Sequence, residues 1–277
     1  MRLLLILCTL LFPALAQAQS PITGRVIDSA SGTPIPYATV AIQGRGVITD
    51  REGRFELHNA TAAPTDSVTI SHVGFDTETR TVGDLATNPD IPLQQGVYNI
   101  EPITVTNRRS RLTKLGHSSS GIGEGGWFNE EATKAGNIRE AGVPIKIRRD
   151  SDILSFRMLI RRNGYERVLM RLSFYSLDGN TPGEHLVQQD IRFELTDHFT
   201  GWYELDLTPY AIRLAGDREV LVAMTLLEEE MGTDTAEPFM LGASLLGRFF
   251  HRNVGSDAWE KFSGVTLTMY LNAREYR

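Results

Sequence analysis

Cysteine is nearly absent from this sequence, and the only one, Cys8, lies in an apolar run near the N-terminus. That run, residues 3–15, follows Arg2 and precedes small residues at 16–18, which is the arrangement of a cleaved export signal. We expect residues 1–18 to be removed and the mature chain to lack cysteine. Disulfides, thiolate nucleophiles and cysteine-ligated metals are therefore excluded from the mature protein.

An excess of positive charge is also missing. Lys and Arg number 28 against 34 Asp and Glu, which gives a formal net charge of −6. A nucleic-acid-binding protein needs a concentrated excess of basic residues to displace phosphate counterions, and this composition does not supply it. We therefore expect no nucleic-acid partner. The mature chain is expected to have no transmembrane span and to lie in the periplasm or at the cell surface.

A catalytic constellation is the third absence. The histidines do not have the spacing of a zinc site, since they are scattered at positions 58, 72, 117, 185, 198 and 251. Residues 116–121 do not match the Gly-x-Ser-x-Gly pattern of a nucleophile elbow. The pattern Gly121-x-Gly123-x-x-Gly126 follows a serine run instead of the strand that a dinucleotide site requires. We therefore expect the protein not to be an enzyme.

Short runs rich in Val, Ile and Thr fill the N-terminal third, separated by Gly, Pro, Asp and Asn, which is typical of an all-β domain. In the turn that joins two of these runs, Asp50 is placed to accept backbone N–H groups. Gly53 supplies a conformation that other residues avoid, and Phe55 provides an aromatic anchor. The pattern predicts strands at residues 22–27, 36–43, 47–49, 55–57, 67–71, 77–82 and 100–106.

These residues form a specific series: Gly24-x-Val26, Asp28, Gly32-x-Pro34-Ile35, Ala38-x-Val40, Gly44, Thr49-Asp50-x-x-Gly53-x-Phe55, Val68-x-Ile70-Ser71 and Gly74-Phe75. The series closely resembles the carboxypeptidase-like regulatory domain family. The resemblance implies a seven-stranded transthyretin-like β-sandwich over residues 21–106. The family name refers to a peptidase, but no peptidase residues accompany the series.

The C-terminal part returns to alternating strands after a change of composition. Residues 107–126 contain a basic run, a serine run and a glycine-rich stretch, which predict a linker. A short helix is expected around residues 130–134. Strands are predicted at residues 144–148, 153–161, 167–176, 189–195, 201–207, 219–228, 239–242, 245–250 and 265–271. The domain at 127–277 is therefore predicted to be a second antiparallel β-sandwich, jelly-roll-like in form.

This second domain carries a further resemblance. The residues concerned are Leu172-x-Phe174-Tyr175, Asp178, Pro182-Gly183 and Gly201-Trp202-Tyr203-x-Leu205-Asp206-Leu207. They are similar to C-terminal β-domains of secreted Bacteroidetes-type proteins of unassigned function and to carbohydrate-binding sandwiches. Likeness of fold does not locate a site, so no residue role follows from it.

Three residues are candidate ligand contacts. Trp127 and Trp202 offer aromatic surfaces on which a sugar can stack, and Trp202 alternates with Glu204 on the outward face of its strand. Glu229 belongs to the densest acidic group, formed by residues 228–230, 234 and 237. No cofactor is expected. Calcium at this acidic group is the alternative, because clustered loop carboxylates suit calcium outside the cytoplasm.

Together these features predict an exported, non-enzymatic binding or interaction protein of the cell envelope. A glycan, a peptide or an envelope protein are the partners that the sequence leaves open. The alternative is an accessory or degenerate hydrolase, peptidase- or glycan-related, with an unrecognised site in the C-terminal domain. A structural spacer without a ligand is a third class.

Overall fold

The protein is almost entirely β-structure, as a computed structural model shows for residues 21–58, 61–96, 109–119, 121, 123–128, 139–231, 239–253, 255 and 258–277. These residues contain one short α-helix, α1 (Val82–Thr87), and one 3-10 helix at Thr208–Tyr210. The all-β prediction is confirmed. The strands of the first part are β1 (Ile22–Asp28), β2 (Thr39–Ile42), β3 (Arg45–Ile48), β4 (Arg54–Leu57), β5 (Ser67–Ser71), β6 (Glu78–Thr81) and β7 (Asp90–Leu93).

The second part contains longer strands. They are β8 (Ser110–Gly116), β9 (Gly123–Phe128), β10 (Arg139–Ile147), β11 (Ser151–Arg162), β12 (Tyr165–Asp178), β13 (Thr181–His185), β14 (Ile191–Thr196), β15 (Gly201–Asp206), β16 (Arg213–Leu214), β17 (Arg218–Met231), β18 (Phe239–Asn253), β19 (Glu260–Leu267) and β20 (Met269–Tyr276). No helix among the described residues is both long and apolar enough to cross a bilayer.

The N-terminal strands form a sandwich of two sheets. One has the order β4-β1-β7 and the other β3-β2-β5-β6. Both contribute to one buried core, to which β1 gives Val26, β2 gives Val40 and β5 gives Ile70. This agrees with the predicted sandwich, although the strand predicted at residues 100–106 lies outside the described residues.

The turn between β3 and β4 has the structure expected from its residues. One carboxylate oxygen of Asp50 accepts the backbone N–H groups of Glu52 at 3.0 Å and Arg54 at 2.7 Å. Gly53 has a φ of 73°, and a Cβ added there would lie 2.5 Å from the carbonyl oxygen of Val26. Phe55 is 6% exposed within the core. The three roles predicted for this turn are thus confirmed.

Helix α1 was not predicted, although its start carries a local signal. Thr81 caps the helix by accepting the N–H of Asp84, and the Asp84 carboxylate accepts the N–H of Thr81 in return. This reciprocal arrangement is a capping box. The helix is only 6 residues long and buries a single residue, Leu85, so no apolar period marks it in the sequence.

The C-terminal part is one 13-stranded sheet folded into the two layers of a jelly roll, which are joined where β18 pairs with both β10 and β11. One layer has the order β8-β20-β11-β15, and the other has the order β10-β17-β12-β14. Successive strands lie in alternate layers from β8 through β10 and β11 to β12. Strand β14 lies in the same layer as β12. The alternation then resumes through β15, β17 and β20. This connectivity is that of a jelly roll, with the β18–β19 hairpin inserted before the last strand. The predicted second sandwich is confirmed.

The inner faces of the two layers share the main core. In β12 the core residues are Val168, Met170, Leu172 and Phe174, at every second position. The intervening residues point to the outer face of the layer, where Arg171, Ser173 and Tyr175 are buried by other parts of the protein.

The predicted linker at residues 107–126 was wrong over much of its length. Strand β8 pairs with β20 along its whole length and buries Leu115, and the glycine-rich β9 pairs with β18. The basic residues of β8 are compatible with an edge strand, where charged side chains discourage further pairing. The helix predicted around residues 130–134 lies outside the described residues.

The two sandwiches contact each other through a partly buried carboxylate. Glu228 of β17 accepts the hydroxyl of Tyr37 at 2.7 Å and two guanidinium N–H groups of Arg51 at 2.9 and 2.6 Å. Arg167 of β12 donates to the same carboxylate at 2.8 Å. Hydrogen bonds from Arg51 hold the pKa of Glu228 at about 2, with Tyr37 and Arg167 adding to the effect against the opposing effect of burial.

A second set of contacts lies on the same interface. Arg171 of β12 is 7% exposed and donates to Asp190 at 2.6 Å and to the backbone oxygen of Tyr37 at 3.1 Å. His72 of the N-terminal sandwich lies 3.1 Å from Arg171 and 3.5 Å from Asp190. Burial opposes ionisation of Asp190, yet His72 and Arg171 hold its pKa well below the usual range.

Replacement of Gly53 by alanine is expected to destabilise the N-terminal sandwich by about 3 kcal/mol, because the new Cβ meets backbone at a positive φ. Gly32 is a matched control, since it has a φ of 70° with nothing within 4 Å of the added Cβ. Gly32→Ala should cost about 1 kcal/mol. Urea unfolding followed by circular dichroism measures both. Equal losses would contradict the steric role of Gly53.

Replacement of Glu228 by glutamine is expected to lower the melting temperature at neutral pH. Because the folded pKa of Glu228 lies below its ordinary value of 4.5, its stabilisation is present above pH 4.5 and is lost as the pH falls towards 2. The difference between wild type and Glu228→Gln should therefore shrink over that range. Glu230→Gln, at an exposed position of the same strand, is the control and should leave the wild-type pH profile unchanged. A Glu228→Gln difference that does not vary with pH would refute this role.

Candidate ligand-binding face

The outer face of the layer β8-β20-β11-β15 gathers aromatic and polar side chains. The core residues of these strands point inward, so the intervening positions lie together on the solvent side. Strand register places Arg157 beside both Glu204 and Tyr270, and it places Ser155 beside Asn272. We call this surface the Trp202 face, and it comprises Lys114, Ser155, Arg157, Trp202, Glu204, Tyr270 and Asn272.

Two aromatic rings form the centre of the Trp202 face. Trp202 and Tyr270 meet edge to face, with ring centres 5.4 Å apart. The guanidinium of Arg157 lies over both rings, at 5.5 and 5.8 Å from their centres, and donates to the Tyr270 hydroxyl at 2.9 Å. Tyr270 is 2% exposed, whereas Trp202 is partly exposed. The indole is therefore the aromatic surface that a ligand can reach.

Beside the rings lies a row of hydrogen-bonding groups, formed by Ser155, Glu204 and Asn272. Ser155 donates to Glu204 at 2.6 Å, and the amide nitrogen of Asn272 donates to Ser155 at 2.8 Å and to Glu204 at 3.2 Å. The Nε atom of Arg157 lies 3.5 Å from the Glu204 carboxylate and has no hydrogen-bond partner among the described residues. Carboxylate, amide and guanidinium groups are thus held in place within reach of the indole.

This combination suits a ligand with both apolar and hydroxyl surfaces. An aromatic ring offers a flat apolar platform, while planar polar side chains fix orientation through directed hydrogen bonds. A sugar ring presents C–H groups on its faces and hydroxyls at its edge. The Trp202 face can therefore bind a saccharide without any catalytic group.

The sequence-predicted site residues fall in different parts of the fold. Trp202 lies on β15 at the centre of the Trp202 face. Glu229 lies on β17 in the other layer and is paired with Val168, a core residue, so the structure does not bring it to Trp202. The strand β9 contains Trp127, but its side chain lies outside the described residues.

Several residues of this face were missed by sequence reasoning. Arg157 follows the buried Phe156 in a predicted strand, so the alternation of polar and apolar residues was the available signal. Asn272 lay one residue beyond the end of a predicted strand. Lys114 lay within the predicted linker, where no outward face was expected. Their proximity to Trp202 depends on strand pairing, which a single sequence does not reveal.

Another polar cluster lies on the outer face of the opposite layer and is largely buried. Glu140 is 3% exposed and accepts from Tyr175 at 2.6 Å and from Arg252 at 2.8 Å. Burial opposes ionisation of Glu140, yet the charge of Arg252 holds its pKa below the usual range. Trp259 covers Arg252 with its ring, 4.4 Å away. These groups satisfy one another, which indicates a structural role.

An open cleft of about 1020 Å³ lies beside the contact between the two sandwiches. It is lined by the β3–β4 turn and by Glu228, among other residues. The carboxylates of Asp50 and Glu228 already accept hydrogen bonds from the protein. Since its most ordered polar groups are engaged, the cleft is a weaker candidate than the Trp202 face.

Metal ligation has no support in the described residues, which contain no group of three or more His, Cys, Asp or Glu side chains able to hold an ion. Positions 234 and 237 of the acidic group lie outside the described residues. The calcium alternative and the expected absence of cofactors therefore stay predictions.

Fold and surface define an all-β protein of two sandwiches, the first of which carries the Asp50–Phe55 turn and the second the Trp202 face. Residues 21–94 match the model of the carboxypeptidase regulatory-like domain family. The family resemblance seen in the sequence is thereby confirmed for the N-terminal sandwich. No curated protein matches the chain.

His185, whose ring lies tilted against that of Tyr175 with ring centres 4.2 Å apart, is expected to make the fold acid-sensitive. Burial lowers the pKa of His185 to about 4, below its ordinary value of 6.5. The folded state thus binds fewer protons than the unfolded state. Its stability is complete above pH 6.5 and falls by no more than about 3 kcal/mol between pH 6.5 and 4.

Replacement of His185 by glutamine should flatten the dependence of melting temperature on pH over that range. His58→Gln is the control, because the His58 side chain is 73% exposed. An unchanged slope in His185→Gln, measured by differential scanning calorimetry, would refute the assignment.

Proposed function

We propose that this protein is an exported, non-enzymatic binding protein of the cell envelope that holds a glycan on the Trp202 face. The supporting observation is the partly exposed indole of Trp202 with Glu204, Asn272 and Arg157 fixed beside it. Export is supported by the signal-like residues 1–18. The resemblance of the second domain to carbohydrate-binding sandwiches agrees with this ligand class.

The position of the N-terminal sandwich supports the same proposal. Its contacts include Arg167 and Arg171 of β12, Glu228 of β17 and Asp190, which precedes β14. All of these belong to the layer opposite the Trp202 face. The regulatory-like domain therefore packs on one side of the jelly roll, and these contacts of the described residues do not cover the candidate face on the other side.

Replacement of Trp202 by alanine is expected to weaken glycan binding by about tenfold, because the stacking surface is worth about 1–1.5 kcal/mol. The mature chain is screened against soluble polysaccharides by affinity electrophoresis, and hits are measured by calorimetry. Phe262→Ala is the matched control, because Phe262 is a 50% exposed aromatic on β19, outside this face.

Glycan binding that is equal in Trp202→Ala and wild type, or absent in wild type, would refute the proposal. New reducing ends released from a bound glycan would instead favour the alternative of a hydrolase. Circular dichroism of each variant establishes that the fold is retained.

A further inference from the structure

We infer that the saccharide bound by the Trp202 face is acidic, carrying carboxylate or sulfate groups; this inference rests on the proposed function. It derives from two cations that share one aromatic ring. The Lys114 ammonium lies 5.1 Å from the centre of the Tyr270 ring, and the Arg157 guanidinium lies 5.8 Å from the same centre.

The two cations differ in their carboxylate partners. Glu204 is the nearest carboxylate to Arg157, at 3.5 Å, and it also accepts from Ser155 and Asn272. Lys114 is exposed, and among the described residues it makes no ion pair. Asp206, the other outward carboxylate of β15, accepts from Thr208. The Lys114 ammonium thus remains unpaired beside the Tyr270 ring.

The positive charge of the unpaired Lys114 is opposite in sign to the net charge of the protein. The formal net charge of the chain is −6, so an anionic ligand is repelled at long range and needs local cations to bind. Strand pairing supplies them: Lys114 on β8 lies opposite Asn272 on β20, and Arg157 on β11 lies opposite Tyr270. The two cations therefore lie on either side of β20, the strand that carries Tyr270 and Asn272.

The geometry assigns a separate role to each group. Trp202 supplies the platform for the sugar ring, and Asn272 and Glu204 meet its hydroxyls. The ammonium of Lys114 is a mobile point charge that pairs with a carboxylate or a sulfate, whereas Arg157 is fixed by Tyr270. Loss of Lys114 should therefore affect charged ligands alone.

The test compares polymers that differ only in charge. Polygalacturonate and its methyl ester have the same backbone, and alginate and dextran sulfate extend the acidic set to another uronate and to sulfate. Wild-type mature chain should bind at least one acidic polymer about tenfold more tightly than its uncharged counterpart. That preference should decrease with added salt.

Lys114→Gln should weaken binding of the acidic polymer about two- to fivefold, as expected for one exposed ion pair, and should leave the uncharged polymer unaffected. Lys261→Gln, an exposed lysine on β19, is the matched control and should change neither. Trp202→Ala should weaken binding of both forms.

The outcomes separate the two proposals. If binding depends on Trp202 but is equal for acidic and uncharged polymers, or is confined to neutral ones, the inference of an acidic ligand is overturned. The proposal of glycan binding then remains. Absence of Trp202-dependent binding to every polymer overturns both. An acidic preference that is unchanged in Lys114→Gln overturns the role of Lys114.

Discussion

The carboxylate of Glu228 is the interaction on which the arrangement of the two sandwiches depends. It accepts from Tyr37 and Arg51 of one domain and from Arg167 of the other, so neither domain alone satisfies it. A β-bulge decides its position. Met170 is paired with Leu226 and Leu169 with Glu228, which leaves Leu227 as an extra residue. Glu228 consequently points to the outer face, where strict alternation would have turned it inward.

The outer faces of the two layers of the jelly roll differ. The outer face of the layer β10-β17-β12-β14 carries paired charges that are covered by the N-terminal sandwich or by Trp259. Buried charges of this kind are costly unless every partner is present, so this side of the molecule tolerates little change. On the opposite layer, Trp202 and Lys114 are accessible to solvent. The polar groups beside them can be hydrated at little cost in free energy. The proposed binding face therefore lies on the side of the jelly roll opposite the contact with the N-terminal sandwich.

Much of the fold could be predicted from the sequence, because it is set by local chemistry. The Asp50–Phe55 turn depends on one capping carboxylate and one glycine of positive φ, and both are visible as residues. The alternation of apolar residues in β12 likewise identified a strand, although it did not show that the outer side of Arg171, Ser173 and Tyr175 is covered as well. Prediction from local sequence failed where the apolar pattern was weak. Strand β8 begins beside a basic run and buries Leu115 alone, so it resembled a linker.

The candidate site could be predicted only in part, since its residues come from strands far apart in the chain. Trp202 was identifiable as an outward aromatic, but Arg157 and Tyr270 reach it through pairing registers that contain a bulge between Ile153 and Ser155. A shift of one residue would turn Arg157 into the core and Phe156 out to solvent. The large apolar residues therefore fix the register, and the register in turn fixes which polar groups surround the indole. The arrangement of side chains on this face is thus a consequence of core packing, and for that reason neither the acidic group nor the family pattern pointed to it.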